Sequence, residues 1–231
     1  CRGIRHACVR VHQLSSLLPF KVLGLLGGVR SVRELQQQLR DLIDQFEEFA
    51  ANKSTPEMTI QTEYVERLFA LLGWNMVHGA GDYNRQDYCR GSGIVDGVLL
   101  KHGKPVIYIE VKRFGRIPSF DERKARRIYR TPEEQQALRY ARDPNGRLRA
   151  PYAVLTNFQR LFLFDARTEE IILHFDRPQD YLTRLDDLHY LSKDEVLSGG
   201  LERWRSRALR PDVDEDFLAT LNHWRLRLAQ G

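Results

Sequence analysis

Apolar and polar positions follow two different periods along this chain. Residues 31–50, "SVRELQQQLRDLIDQFEEFA", place Val32, Leu35, Leu39, Leu42, Ile43 and Phe46 at helical spacing behind Ser31, a suitable N-cap. "ANKSTPEMT" (51–59) breaks that pattern. A second helix is expected in "IQTEYVERLFALLGW", with Val65, Leu68, Phe69 and Leu72 on one stripe and Gly73 able to end it. Residues 75–92 are polar and Gly-rich and read as turns. Strand-like runs then begin with "GIVDGVLL" (93–100) and "PVIYIEVK" (105–112), joined by "KHGK", a hairpin-length link. A basic, irregular stretch runs to Thr131. "TPEEQQALRYA" reads as a helix, with Thr131 at the N-cap, Pro132 at the first turn and acidic residues beside them. "DPNG" (143–146) is a turn, and "YAVLTN", "RLFLFDA" and "EEIILHF" are three more strands. From Asp180 onward the spacing is helical, with breaks at "SGG" (198–200) and Pro211. This order predicts an α/β fold, a mixed β-sheet core flanked by helices, with a C-terminal helical linker.

Two of the strands carry charges where a buried strand should be apolar. Side chains alternate faces with period two. In "VIYIEVK", Ile107, Ile109 and Val111 share one face, and Val106, Tyr108, Glu110 and Lys112 share the other. In the preceding run Ile94, Asp96 and Val98 share a face. If the hairpin pairs even-numbered residues with even-numbered ones, Asp96 and Glu110 point to one side; a one-residue slip separates them. Two carboxylates and a lysine among apolar neighbours are costly unless something compensates. A divalent cation such as Mg²⁺ is the obvious compensator, held by one or two carboxylates with water and substrate phosphate oxygens. Lys112 would then orient or deprotonate the attacking water, or stabilise charge building on phosphorus. The alternative is an ion pair that only supports the sheet.

Composition narrows the setting. The chain has 231 residues, 42% hydrophobic and 29% charged, enough for one sizeable core with or without a helical appendage. A net charge of +5 permits a phosphate-rich partner without demanding one. Arginine clusters in 112–130 and in 201–210, the second of which also reads as a solvated helix face. Three scattered cysteines, Cys1, Cys8 and Cys89, argue against a disulfide framework or structural zinc and for a reducing, cytoplasmic setting. The histidines, His174 and His223 among them, do not pair at metal-ligand spacing. Trp204 and Trp224 sit at amphipathic positions of the tail and read as core packing. Basic residues precede an apolar run in 1–30, but Pro19 and Lys21 interrupt it and no cleavage site is clear. That segment is read as an uninformative leader, and no membrane association is expected. The predicted division is 1–30 leader, 31–179 catalytic domain and 180–231 helical linker.

The pattern Asp96…Glu110-Val-Lys112 on a hairpin, after a Glu-bearing helix, resembles the PD-(D/E)XK nuclease superfamily. The motif's usual Pro is Val95 here, a looser form that removes no metal ligand. "TEYVERLFALLGW" is similar to the family's first motif, which carries over to Glu63. Glu66, one turn on, is a second candidate whose alternative is a solvated or Arg-paired role. "QALRYA" resembles a Gln-x3-Tyr motif and maps to Gln136 and Tyr140, on one helix face, to brace the site or the DNA backbone. Across roughly 36–230 the chain resembles the N-terminal nuclease domain of type IIG restriction–modification enzymes, with type I restriction subunits as near relatives. In those enzymes the helical tail leads into an adenine methyltransferase. No NPPY-like motif, Gly-rich cofactor loop or P-loop occurs here, so neither methylation nor a motor is assigned.

The resemblance implies a restriction-endonuclease-like fold and a Mg²⁺-dependent (Mn²⁺ as an option) endonuclease acting on double-stranded DNA and leaving 5′-phosphates. Asp96, Glu110 and Glu63 would hold the metal and Lys112 would assist the water. Methyltransferase and target-recognition domains or subunits would be partners. Arg113, Lys124, Arg126 and Arg127 are the expected phosphate contacts, and Asn157 is expected to shape a turn. Two other readings stay open: a nuclease for branched DNA or RNA, and a non-cleaving DNA-binding or assembly module. The intact acidic set argues against the second.

Overall fold

The computed structural model describes residues 31–50 and 56–208. The leader, the break at 51–55 and the tail beyond 208, with Pro211, His223 and Trp224, lie outside the described residues. Six strands form one sheet in sequence order: β1 (Tyr83–Cys89), β2 (Gly93–Lys101), β3 (Lys104–Val111), β4 (Tyr152–Thr156), β5 (Leu161–Asp165) and β6 (Glu170–Phe175). Neighbours are antiparallel except β3 and β4, which run parallel. A parallel pair needs a crossover. The intervening chain supplies it with α4 (Phe120–Ala125) and α5 (Pro132–Ala141).

The sheet is buried on both faces, each with its own core. One core joins Ile107, Ile109 and Val111 of β3 to Leu39, Phe46, Ile60 and Leu68 from helices α1 (Val32–Ala50), α2 (Glu57–Ile60) and α3 (Glu66–Leu71). The same core takes Tyr181, Leu188, Val196 and Leu201 from α6 (Asp180–Thr183), α7 (Leu185–His189), α8 (Lys193–Ser198) and α9 (Gly200–Ala208). The core therefore runs on across residue 180, where the linker was expected to begin. The other core packs Val98, Tyr108, Phe162 and Phe164 against Ala137, Leu138 and Tyr140 of α5.

Local chemistry explains several element ends. Ser31, Ser119 and Thr131 each accept from the backbone N–H three residues on, and a Glu there returns a bond. The β2–β3 turn is His102–Gly103, both at positive φ (50° and 73°), the geometry of a tight primed hairpin turn.

Three features depart from the sequence reading. Residues 83–89, taken as turns, form edge strand β1; its burial is complete only at Tyr83 and Cys89, so no apolar alternation marked it. The irregular basic stretch contains α4. The second helix starts at Glu57 and passes through a π-helical turn at Gln61–Val65.

Gly97 of β2 faces the buried Tyr83 ring, and a Cβ there would lie 2.7 Å from Tyr83 Cε2. Gly97→Ala is therefore expected to destabilise the fold by about 1–3 kcal/mol, measured by urea denaturation. An unchanged midpoint would mean Tyr83 moves aside freely.

Candidate active site

The hairpin register decides whether the three charges meet. Gly97 pairs with Ile109 and Val98 with Tyr108, so the next step along each strand sets Asp96 opposite Glu110. Even-numbered residues do pair with even-numbered ones at this point. A shift enters only between Leu99 and Leu100, away from the charges. Asp96 Oδ2 accepts the Val111 N–H at 2.7 Å, and Lys112 Nζ bonds Glu110 Oε1. Lys112 stands just past β3, where its N–H donates to Thr156 O of β4 at 2.9 Å. Glu110 is only 3% exposed, and its Oε2 is buried without a hydrogen-bond partner.

Burial raises the Glu110 carboxyl to about 7, and the neighbouring Asp96 charge adds to the shift despite the Lys112 bond. Burial also raises Asp96, with the Val111 amide and Lys112 working against it. For Lys112, burial opposes the ammonium, but the Glu110 bond together with the Glu110, Glu57 and Asp96 charges outweighs it, and the group titrates above its ordinary value. The site thus sets a cation beside two carboxylates whose charge burial disfavours.

Surrounding elements fix this geometry. Gln61, in the π turn, donates to Asp96 O at 2.7 Å and to the Tyr83 hydroxyl at 3.1 Å. Tyr83 donates to Glu66 Oε1 at 2.8 Å, and Arg85 grips both Glu66 oxygens. Glu66 is therefore Arg-paired. Glu63 is exposed, and among the described residues no three His, Cys, Asp or Glu side chains converge to hold a metal ion. The structure does not bring Glu63 to Asp96 and Glu110. A π turn adds a residue to the helical turn and changes which side chains face the sheet. The helix carboxylate whose charge bears on Asp96, Glu110 and Lys112 is Glu57, which sequence reasoning missed.

From the other face, Gln136 Nε2 donates to Tyr140 Oη at 3.1 Å, and Tyr140 donates to Ile94 O at 2.8 Å, two residues before Asp96. Tyr140→Phe should cost about 1 kcal/mol by urea denaturation. A change indistinguishable from zero would mean the hydroxyl does not hold β2.

A cavity of about 380 Å³ opens beside the lysine, lined by Lys112, Arg113, Arg116, Glu57, Glu133 and Gln136 among others. Arg113 N–H donates to Glu57 Oε1 at 3.2 Å, and Arg116 pairs with Glu133 at 2.7 Å. Of the predicted phosphate contacts, Arg113 alone lines this cavity. Lys124 lies over the Phe120 ring, and Arg126 and Arg127 are exposed just past α4. Arg116, which the cavity adds, had no signal beyond the basic stretch around it. Asn157 is buried in its turn, accepting from Arg160 N–H at 2.8 Å. His174 is stacked on Phe120, and Trp204 on Tyr190.

Among the described residues no helix is long and apolar enough to cross a membrane. No protein-family model matches the chain, and no solved structure gives a significant match. The chain is similar to the Type II restriction enzyme and methyltransferase RM.Eco57I of Escherichia coli, 24% identical over 223 residues, covering 84% of this chain and 21% of that protein. The chain thus spans about a fifth of that relative's length. The match supports a relationship to restriction enzymes, and the six-stranded mixed sheet flanked by helices is consistent with a restriction-endonuclease-like core.

Proposed function

We propose that this chain is the nuclease part of a restriction system and hydrolyses phosphodiester bonds of double-stranded DNA with Mg²⁺, or Mn²⁺, as cofactor. One observation carries the reading. Glu110 Oε2 is buried and unpartnered, on a strand set opposite Asp96 and beside Lys112. A buried carboxylate oxygen with no donor invites a cation or a proton. The donor set fits a hard divalent ion, with Asp96 and Glu110 as ligands and the other positions left to water and phosphate oxygens. The ion, when bound, supplies Lewis-acid polarisation of the phosphoryl group.

Lys112 Nζ, bonded to Glu110 at the edge of the cavity, would orient the attacking water and stabilise the charge building on phosphorus. Arg113 and Arg116 at the cavity wall face the phosphate backbone, and Gln136 and Tyr140 hold the β2 strand in place. Glu57, not Glu63, is the helix carboxylate placed to influence the metal site. The similarity to a restriction enzyme and methyltransferase supports a restriction role, with methyltransferase and target-recognition parts as the partners.

The test is incubation with linear duplex DNA in Mg²⁺ or in EDTA, followed by analysis of the new ends. Cutting in Mg²⁺ alone, with 5′-phosphate ends, is expected. Cutting that persists in EDTA would sink the proposal. So would a chain that binds duplex but never cuts it with Mg²⁺ or Mn²⁺.

A further inference from the structure

We infer that a second cavity, on the neighbouring flank of α5, is a phosphate-binding site that takes the duplex backbone beside the cleavage site. Its duplex assignment rests on the function proposed above. The cavity, about 200 Å³, is lined by Arg130, Gln135, Leu138, Arg139, Arg142 and Glu169. Three arginines and one carboxylate line it. Arg130 and Arg142 bind one Glu169 oxygen each, and Arg130 also donates to Glu169 O at 2.9 Å. One arginine would satisfy that carboxylate; the second and third leave a positive excess. Arg142 Nε is buried with no hydrogen-bond partner, so Glu169 does not satisfy every donor of this arginine.

The site is built before any ligand arrives. Arg130 and Arg142 are held by Glu169 and largely covered, with side chains 16% and 31% exposed, so binding would immobilise little that is now free. Arg139 stands exposed at the rim. Guanidinium forks match phosphate oxygens in geometry and charge. The site runs along α5 from Arg130, just before its N-cap, to Arg142 at its C-cap, so the guanidinium excess rather than a helix terminus has to carry the binding. Gln135 adjoins Gln136, which lines the active-site cavity. The two cavities thus occupy adjacent faces of one helix, and a backbone running past Arg113 and Arg116 would continue towards Arg139.

The experiment measures duplex affinity in EDTA against salt concentration for the wild-type chain, Arg139→Ala, Glu169→Gln and a control, Arg40→Ala. Arg40 is exposed on α1, which packs on the other face of the sheet. Arg139→Ala should weaken binding about five- to tenfold at 0.1 M salt and lower the log–log salt slope by about one. Glu169→Gln should move both quantities the other way by freeing two guanidiniums. A parallel arm measures thermal stabilisation by inorganic phosphate. Stabilisation lost in Arg139→Ala, with duplex binding unaffected, would keep the site but assign it to free phosphate, overturning the duplex. Variants that match the control in both arms overturn the proposal. Binding is read without metal, so failure of the nuclease reading would appear separately, as a chain that binds through these arginines yet never cuts.

Discussion

Lys112→Ala is expected to lower the rate of Mg²⁺-dependent duplex cleavage by about 10²–10³-fold while leaving duplex binding in EDTA nearly unchanged. Lys112 Nζ is bonded to Glu110, its side chain is 13% exposed, and it walls the cavity. The other two cations lining that cavity are turned to Glu57 and Glu133. Neither is bonded to Glu110, so neither can replace an ammonium placed at the buried carboxylates. The loss should fall on kcat rather than KM, because the charge is needed as negative charge grows on phosphorus. Lys112→Arg should not restore the rate: a planar fork cannot occupy the place of a compact ammonium. Single-turnover cleavage measures this directly. Cleavage at the wild-type rate by Lys112→Ala would remove the lysine from the chemistry and leave it as a partner for Glu110.

Glu110→Gln should abolish cleavage and also change how stability depends on pH. The Glu110 carboxyl is raised from its ordinary value to about 7 in the fold, chiefly by burial. The folded protein therefore holds this proton more tightly than the unfolded chain. Its contribution to stability is full below about pH 4.5 and is lost as pH rises towards 7. At about 1.4 kcal/mol per pKa unit the loss amounts to a few kcal/mol. In EDTA, urea unfolding of the wild-type chain should show this decline between pH 5 and 7, and the glutamine variant should show a flatter profile. Mg²⁺ should recover more stability at pH 7 in the wild type than in the variant, which keeps only the Asp96 carboxylate as a charged ligand. Parallel pH profiles for the two proteins would contradict the assigned environment of Glu110.

Much of the scaffold was legible because strong local rules agreed. Alternation in "VIYIEVK" and the Gly-containing link identified the hairpin, but its register stayed conditional in the sequence and is set by the pairing of Gly97 with Ile109 and Val98 with Tyr108. Ser31 and Thr131 marked helix starts through capping chemistry. The same signal, Ser119 followed by Glu122, was present at α4 but stood among arginines and was read as irregular chain. Strand β1 was hidden for a different reason. Its middle residues are polar, and Arg85 belongs there because it must reach Glu66, a contact no local pattern reveals.

Glu63 shows the limit most clearly. The resemblance of "TEYVERLFALLGW" to the family's first motif placed it as that motif's acidic member. The helix instead begins at Glu57 and passes through a π turn, which turns Gln61 towards the Asp96 backbone and leaves Glu63 exposed. Helix phase of this kind depends on tertiary packing and is invisible to residue spacing. The second arginine cavity was out of reach for the same reason, because Glu169 meets Arg130 and Arg142 only once β6 and α5 are in place.

The measurement that bears most directly on the active-site assignment is the rate of duplex cleavage against Mg²⁺ concentration for the wild-type chain and Asp96→Asn. The asparagine is nearly isosteric, and its side-chain oxygen can still accept the Val111 N–H that Asp96 accepts at 2.7 Å. The fold should survive while the ligand charge is lost. Saturating, Mg²⁺-dependent cutting by the wild type and none by Asp96→Asn at any Mg²⁺ concentration is the expected result. Cutting by Asp96→Asn with the wild-type rate and Mg²⁺ dependence would contradict the assignment.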